Sequence, residues 1–107
     1  MSTARKTNKS TCSATELKML GDFWTLEIIQ SLQDGEKRFS ELERSLPGIN
    51  PTTLTDRLKK LDAQRVISRQ KGVIDNISVL YALTPKGRGI LPVLAQIKIF
   101  ADTFLTG

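Results

Sequence analysis

A chain of 107 residues with a formal charge of +5, no histidine and one cysteine is the size of one domain, able to bury about two-thirds of the surface its unfolded form exposes. The missing histidine and the single cysteine exclude Ser-His-Asp and Cys-His catalysis, His-based zinc proteases and four-ligand zinc sites, and no glycine-rich phosphate loop is present. Sixteen Lys and Arg against eleven Asp and Glu attract polyanions such as nucleic acid or an acidic membrane surface, so binding without cofactor or metal is expected rather than catalysis.

Residues 1–12, MSTARKTNKSTC, are polar and basic without periodicity and read as a flexible arm. The chain opens on no leader pattern and holds no apolar run of membrane-spanning length, which points to a soluble cytoplasmic protein. SATE then forms a capping box, Ser13 as N-cap and Glu16 three residues on. A short first helix through Leu17, Met19 and Leu20 ends at Gly21.

Asp22 can cap a second helix, FWTLEIIQSLQ. Its apolar residues Phe23, Trp24, Leu26, Ile28, Ile29 and Leu32 cover more than one face, so it is expected to be largely buried, Trp24 with it. After Asp34-Gly35, RFSELERSLPG starts a third helix with Phe39, Leu42 and Leu46 on one stripe, broken by Pro47-Gly48.

The fourth helix has the clearest start: Asn50 as N-cap, Pro51 at the first helical position and Ile49 placed to staple against Leu54. The third and fourth helices, joined by PGIN, suggest a helix-turn-helix. VISRQ and SVLYAL around the tip KGVIDN read as a hairpin, a wing. Thr84 and Pro85 open a last helix in which Ile90, Leu94, Ile97, Ala101 and Phe104 form one apolar stripe, with a kink or short break expected at Pro92. That stripe exceeds what a small body needs to cover and suggests a dimer interface.

With Leu54, Leu58 and Leu61 committed to a core, the fourth helix turns Thr52, Asp56, Lys59, Lys60 and Ala63 most directly outward, with Thr53 and Arg57 on the flanks. Residues near the N-terminus of such a helix reach deepest into a groove. Thr52 and Thr53 suit base edges or a thymine methyl, Asp56 can accept from cytosine, and Arg57 or Lys60 can meet guanine or phosphate. Arg65, Arg69 and Lys71 add positive charge beside the hairpin.

The run GDFWTLEIIQSLQDGEKRFSELERSLPGINPTTLTDRLKKLDAQRVISRQ with VLYALTPKGRGILPVL resembles the HxlR family of transcription regulators, relatives of the MarR group, over about residues 12 to 104. RFSEL, PGI, LTDRLKKL and YALTPKG are its most specific pieces. The resemblance implies a mainly α protein with a small β-hairpin wing. Residues 13–107 would form a winged helix-turn-helix that dimerises through terminal helices. The homodimer would bind double-stranded DNA at a pseudo-palindromic operator. The resemblance names neither the operator nor a small-molecule effector.

Three places depart from the family pattern. Asn76, Ile77 and Ser78 stand where a proline-proline-arginine stretch is usual, Leu80 replaces the acidic residue before the tyrosine, and Phe23 replaces a lysine before the tryptophan. Wing contacts would therefore fall to Arg69 and Lys71. Cys12 matches an N-terminal cysteine that senses oxidants or electrophiles in part of the family, with Ser13 in place of the usual proline. Its place before the helix cap and near Arg5, Lys6, Lys9 and Lys18 favours a thiolate, against Glu16. The alternatives to a DNA-binding regulator are a winged-helix subunit used only for protein contacts and a small enzyme using a lysine or carboxylate in a dimer cleft, against which stands the lack of any clustered acid and base in the sequence.

Overall fold

The computed structural model describes residues 18–71 and 79–105; the basic arm, Cys12, the Ser13–Glu16 capping box and the hairpin tip lie outside them. Residues 18–20 are helical and Gly21 turns the chain. Asp22 then starts α1, Phe23–Ser31, and its Oδ2 accepts from the Thr25 backbone N–H at 2.9 Å and from the Thr25 hydroxyl at 3.0 Å. The second contact satisfies a buried hydroxyl, which otherwise would be costly. Trp24 is half-buried against the core, while Phe23, T-stacked on it with ring centroids 5.0 Å apart, is exposed.

Arg38 does not begin the next helix. Lys37–Arg38 form a two-residue strand, β1, and α2 runs Phe39–Ser45. Glu41 Oε1 accepts from the Arg38 N–H at 2.8 Å, closing the helix start from inside its first turn. Gly48, at φ 89°, takes the left-handed conformation that the turn after α2 requires.

α3, Pro51–Ala63, starts where expected. Asn50 accepts from the Thr52 N–H at 2.7 Å, and Pro51 occupies a position whose N–H would have no helical partner. Leu54, Leu58 and Leu61 are buried, and Ile49 packs on the same core. α2 and α3 with the PGIN turn form the helix-turn-helix.

The hairpin strands are β2, Ile67–Lys71, and β3, Val79–Leu83. β3 is central in an antiparallel sheet ordered β1–β3–β2, so Tyr81 lies between Lys37 and Arg69. Ile28 and Ile29 of α1, Leu32 just after it, Leu42, the three α3 leucines, Val66, Ile67, Tyr81 and Leu83 belong to one core, each large aliphatic side chain contributing about 1.5–3 kcal/mol by burial.

The last predicted helix is two helices. α4, Pro85–Arg88, is separated from α5, Leu91–Phe100, by Gly89 and Ile90. The break precedes Pro92, which then sits in the first turn of α5, where its missing donor is harmless. Ala101–Leu105 continue as a π-helical turn. Of the apolar stripe, Leu94 is buried and Ile90 half-buried, but Ile97 and Phe104 are 49% and 69% exposed, beside exposed Val93, Phe100 and Leu105. The fold is mainly helical with a three-stranded antiparallel sheet, a winged helix-turn-helix. Among the described residues no helix is long and apolar enough to cross a membrane.

Candidate nucleic-acid interface

α3 carries its leucines inward and leaves Thr52, Thr55, Lys59 and Lys60 exposed, with Thr53 half-buried on the flank. Pro51, Thr52, Thr55, Asp56 and Lys59 line one shallow groove on the outer face. The cap that fixes the first turn thus places two threonine side chains at the end of the helix where the backbone dipole is positive.

Asp56 and Arg57 are engaged within the chain. Asp56 Oδ2 accepts from Arg57 Nη1 at 2.7 Å and meets Lys60 Nζ at 3.2 Å. The hydrogen bond from Lys60, then that from Arg57, hold the Asp56 carboxyl below its ordinary range. Arg57 also donates through Nε to Asp22 Oδ2 at 2.8 Å and through Nη2 to Asp22 Oδ1 at 3.2 Å. Its guanidinium, raised in pKa chiefly by Asp22, is a brace between α3 and the start of α1, and all three of its nitrogens have carboxylate partners.

The basic residues after α3 gather at its far end. Arg65, at φ 60°, takes a left-handed conformation that turns the chain from α3 into β2. Arg65 and Arg69 line an open cleft with Ser68, Thr84 and Lys86. Arg69 also borders a second cleft with Thr55, Lys59 and Tyr81, so the wing strand and the outer face of α3 share a boundary. Lys71, the last residue of β2, is exposed. Thr52 and Asp56 thus share the outer groove and Arg65 and Arg69 share the cleft at the far end of α3, whereas Lys60 lines a different cleft with Asp22, Thr25 and Arg57; Thr53 is half-buried and Lys71 exposed, and Cys12 lies outside the described residues.

Thr55 and Lys59 border these residues, although the sequence alone assigns neither a contact. Thr55 and Lys59 are recoverable from their spacing, three and seven residues after Thr52 on a 3.6-residue period. Lys86 lines the cleft beside Arg65 and Arg69, but its ammonium is turned to the Gln64 backbone carbonyl at 2.8 Å, a place that depends on how the terminal segment folds back.

A helix-turn-helix with a wing is an architecture of nucleic-acid-binding regulators. Residues 19–107 match the model of the HxlR-like helix-turn-helix family, and the chain belongs to that family. It is 36% identical over 86 residues to the HTH-type transcriptional regulator YodB of Bacillus subtilis, covering 80% of this chain and 77% of YodB. The reduced form of YodB superposes with a TM-score of 0.78 at 33% identity, covering 87% of this chain and 91% of that one. A MarR-family regulator from Porphyromonas gingivalis gives a TM-score of 0.77 at 31% identity, covering 94% and 100%. YodB has also been solved after diamide treatment, TM-score 0.74 at 32% identity over 92% and 100% of the two chains. Its quinone-bound form gives 0.72 at 33% over 85% and 96%. The family is one of transcription regulators, not enzymes.

Proposed function

We propose that this chain acts in the cytoplasm as a homodimer that binds a pseudo-palindromic operator, each subunit placing α3 in the major groove. The observation that carries the reading is the capped, solvent-facing N-terminal turn of α3, bordered by the cations of α3 and the wing. Thr52 and Thr53 read base edges, Asp56 and Lys60 extend the reading face, and Arg65, Arg69 and Lys71 hold phosphates. Arg57 orients α3 through Asp22. The exposed face of α5 and the following turn supports the dimer: Val93, Ile97, Ile99, Phe100, Phe104 and Leu105 all stand exposed on this one stretch of chain.

The regulator responds to oxidants or electrophiles through Cys12. Support comes from YodB, whose solved forms are reduced, diamide-treated and quinone-bound, and from the basic residues around Cys12 in sequence. Residues 1–12 serve as an arm and 13–107 as the DNA-binding and dimerising unit. Selection of bound duplexes from a random pool tests the reading. An enriched inverted repeat with half-site centres about one helical turn, or a multiple, apart is expected; a pool without a motif would overturn it.

A further inference from the structure

α3 runs out into three consecutive backbone carbonyls, and one short segment claims all of them. Lys86 Nζ donates to the Gln64 carbonyl at 2.8 Å. The Thr84 hydroxyl donates to the Arg65 carbonyl at 2.6 Å and lies 3.1 Å from that of Val66, which also accepts from the Thr84 N–H at 3.1 Å. The same hydroxyl accepts from the Gly87 N–H at 3.0 Å, which closes the first turn of α4 upon it. A Cβ on Gly87 would lie 2.1 Å from the Val66 carbonyl oxygen, so this contact admits no side chain.

Each bond has a local physical reason. The last carbonyls of a helix lack intrahelical donors and carry the negative end of its dipole, which favours an ammonium. Arg65, left-handed at φ 60°, turns the next two carbonyls toward Thr84. The connection onward to α5 is equally short: Ile90 N–H donates to the Gly87 carbonyl at 3.1 Å and Leu94 N–H to that of Ile90 at 2.9 Å. Only Gly89 and Ile90 separate α4 from α5, whose Leu94 is anchored in the core and whose outer face is exposed and apolar.

We infer that Thr84, Lys86 and Gly87 form a latch of positioning residues that fixes the direction of α3 relative to α5. They thereby set the separation at which two α3 helices present themselves to DNA. The inference rests on the dimeric DNA-binding reading for its effect on operators, but the fixed α3–α5 angle is a property of one subunit. The Asp22–Arg57 brace holds α3 against α1; the latch holds its other end against the chain that leads to α5.

The test uses the full chain and duplexes bearing the inverted repeat that the wild type enriches, with the half-sites at that spacing and displaced by a base pair either way, plus a single half-site. Bivalent binding is lost when geometry forbids simultaneous engagement, so the wild type should prefer its spacing by roughly tenfold. Lys86→Met and Thr84→Val should reduce that preference to about two- or threefold and leave single half-site affinity within about twofold, while Thr84→Ser keeps the wild-type profile. An unchanged preference, or an equal loss on every duplex including the single half-site, overturns the inference. Lys86 is exposed, so its variant keeps the test usable if Thr84→Val does not fold. A second measurement is independent of DNA: nitroxides at Lys59→Cys and Gln96→Cys in a Cys12→Ser background, the labelled chain diluted into unlabelled chain. The distance distribution should be narrow in this background and broadened by Lys86→Met; equal widths overturn the latch. If the wild type enriches no repeat, the operator reading fails while the nitroxide distances still decide the latch.

Discussion

Arg57 and Asp22, 35 residues apart in the chain, meet as a two-point pair, Nε to Oδ2 at 2.8 Å and Nη2 to Oδ1 at 3.2 Å. The same carboxylate caps α1 through Thr25. One side chain thus begins α1 and braces α3, the helix proposed to read DNA, so that disturbing it should affect both stability and recognition.

Replacing Asp22 by Ala should cost on the order of 2–3 kcal/mol, about 1 from the lost cap and the rest from the partly exposed pair. Urea melts measure this, and a change below about 0.5 kcal/mol, the level of an ordinary surface substitution, would show that the brace is idle.

The pair also has a pH signature. Arg57 first, then the Thr25 hydrogen bonds, hold the Asp22 carboxyl down at about 2 against an ordinary 3.8. A depressed carboxyl stabilises the fold fully above its unfolded value and loses that contribution as pH falls through the folded one. The wild type should therefore lose on the order of 1–2 kcal/mol between about pH 4 and pH 2 that Asp22→Asn does not lose, allowing for solvent screening. Parallel stability curves for the two proteins over that window would contradict the assignment.

Contacts on α3 should separate by kind. Thr52→Ala or Thr53→Ala should cost about 1–3 kcal/mol at one base position, whereas Lys59→Ala or Arg65→Ala should weaken all sequences alike and reduce the salt slope by about one. Binding measured across a set of single-base operator variants distinguishes the two patterns. Threonine variants with an unaltered profile would mean that α3 sits differently in the groove.

How much of the fold is legible in the sequence depends on the range of each interaction. The start of α3 is, because Asn50 and Pro51 act on the next turn, and so are the leucine face and the hairpin, whose signals are local periods. β1 is not: two residues, Lys37 and Arg38, carry no period, and their strand exists only because Leu80 and Tyr81 of β3 pair with them. Arg57 reads from the sequence as a base or phosphate contact on the helix flank, because its partner Asp22 is too distant in the chain to be seen beside it. Pro92 reads as the point of breakage, but the chain breaks at Gly89 and Ile90 so that the proline can open α5.

Ile97→Glu and Phe104→Glu should give monomers, because a charge would be buried in the dimer contact proposed for α5 and the turn after it. Both side chains are exposed in the single subunit, so the monomers should remain folded by circular dichroism. An unchanged elution mass for both variants would remove this face from the dimer contact.

Cys12→Ser should bind DNA as the reduced wild type does but ignore diamide and quinone, since the serine hydroxyl cannot follow the thiol's oxidation or alkylation. Identical behaviour of the two proteins before and after treatment would remove Cys12 from any switch under those conditions.

The central claim, that two α3 helices read the major grooves of a symmetric site, is tested most directly by methylation protection on the duplex enriched from a random pool. Guanine N7 lies in the major groove. The account predicts two symmetric patches of protected guanines, centred about one helical turn or a multiple apart, with protection lost within a patch on Thr52→Ala or Thr53→Ala. Uniform, weak protection along the duplex, or full reactivity of every guanine under saturating protein, would contradict it.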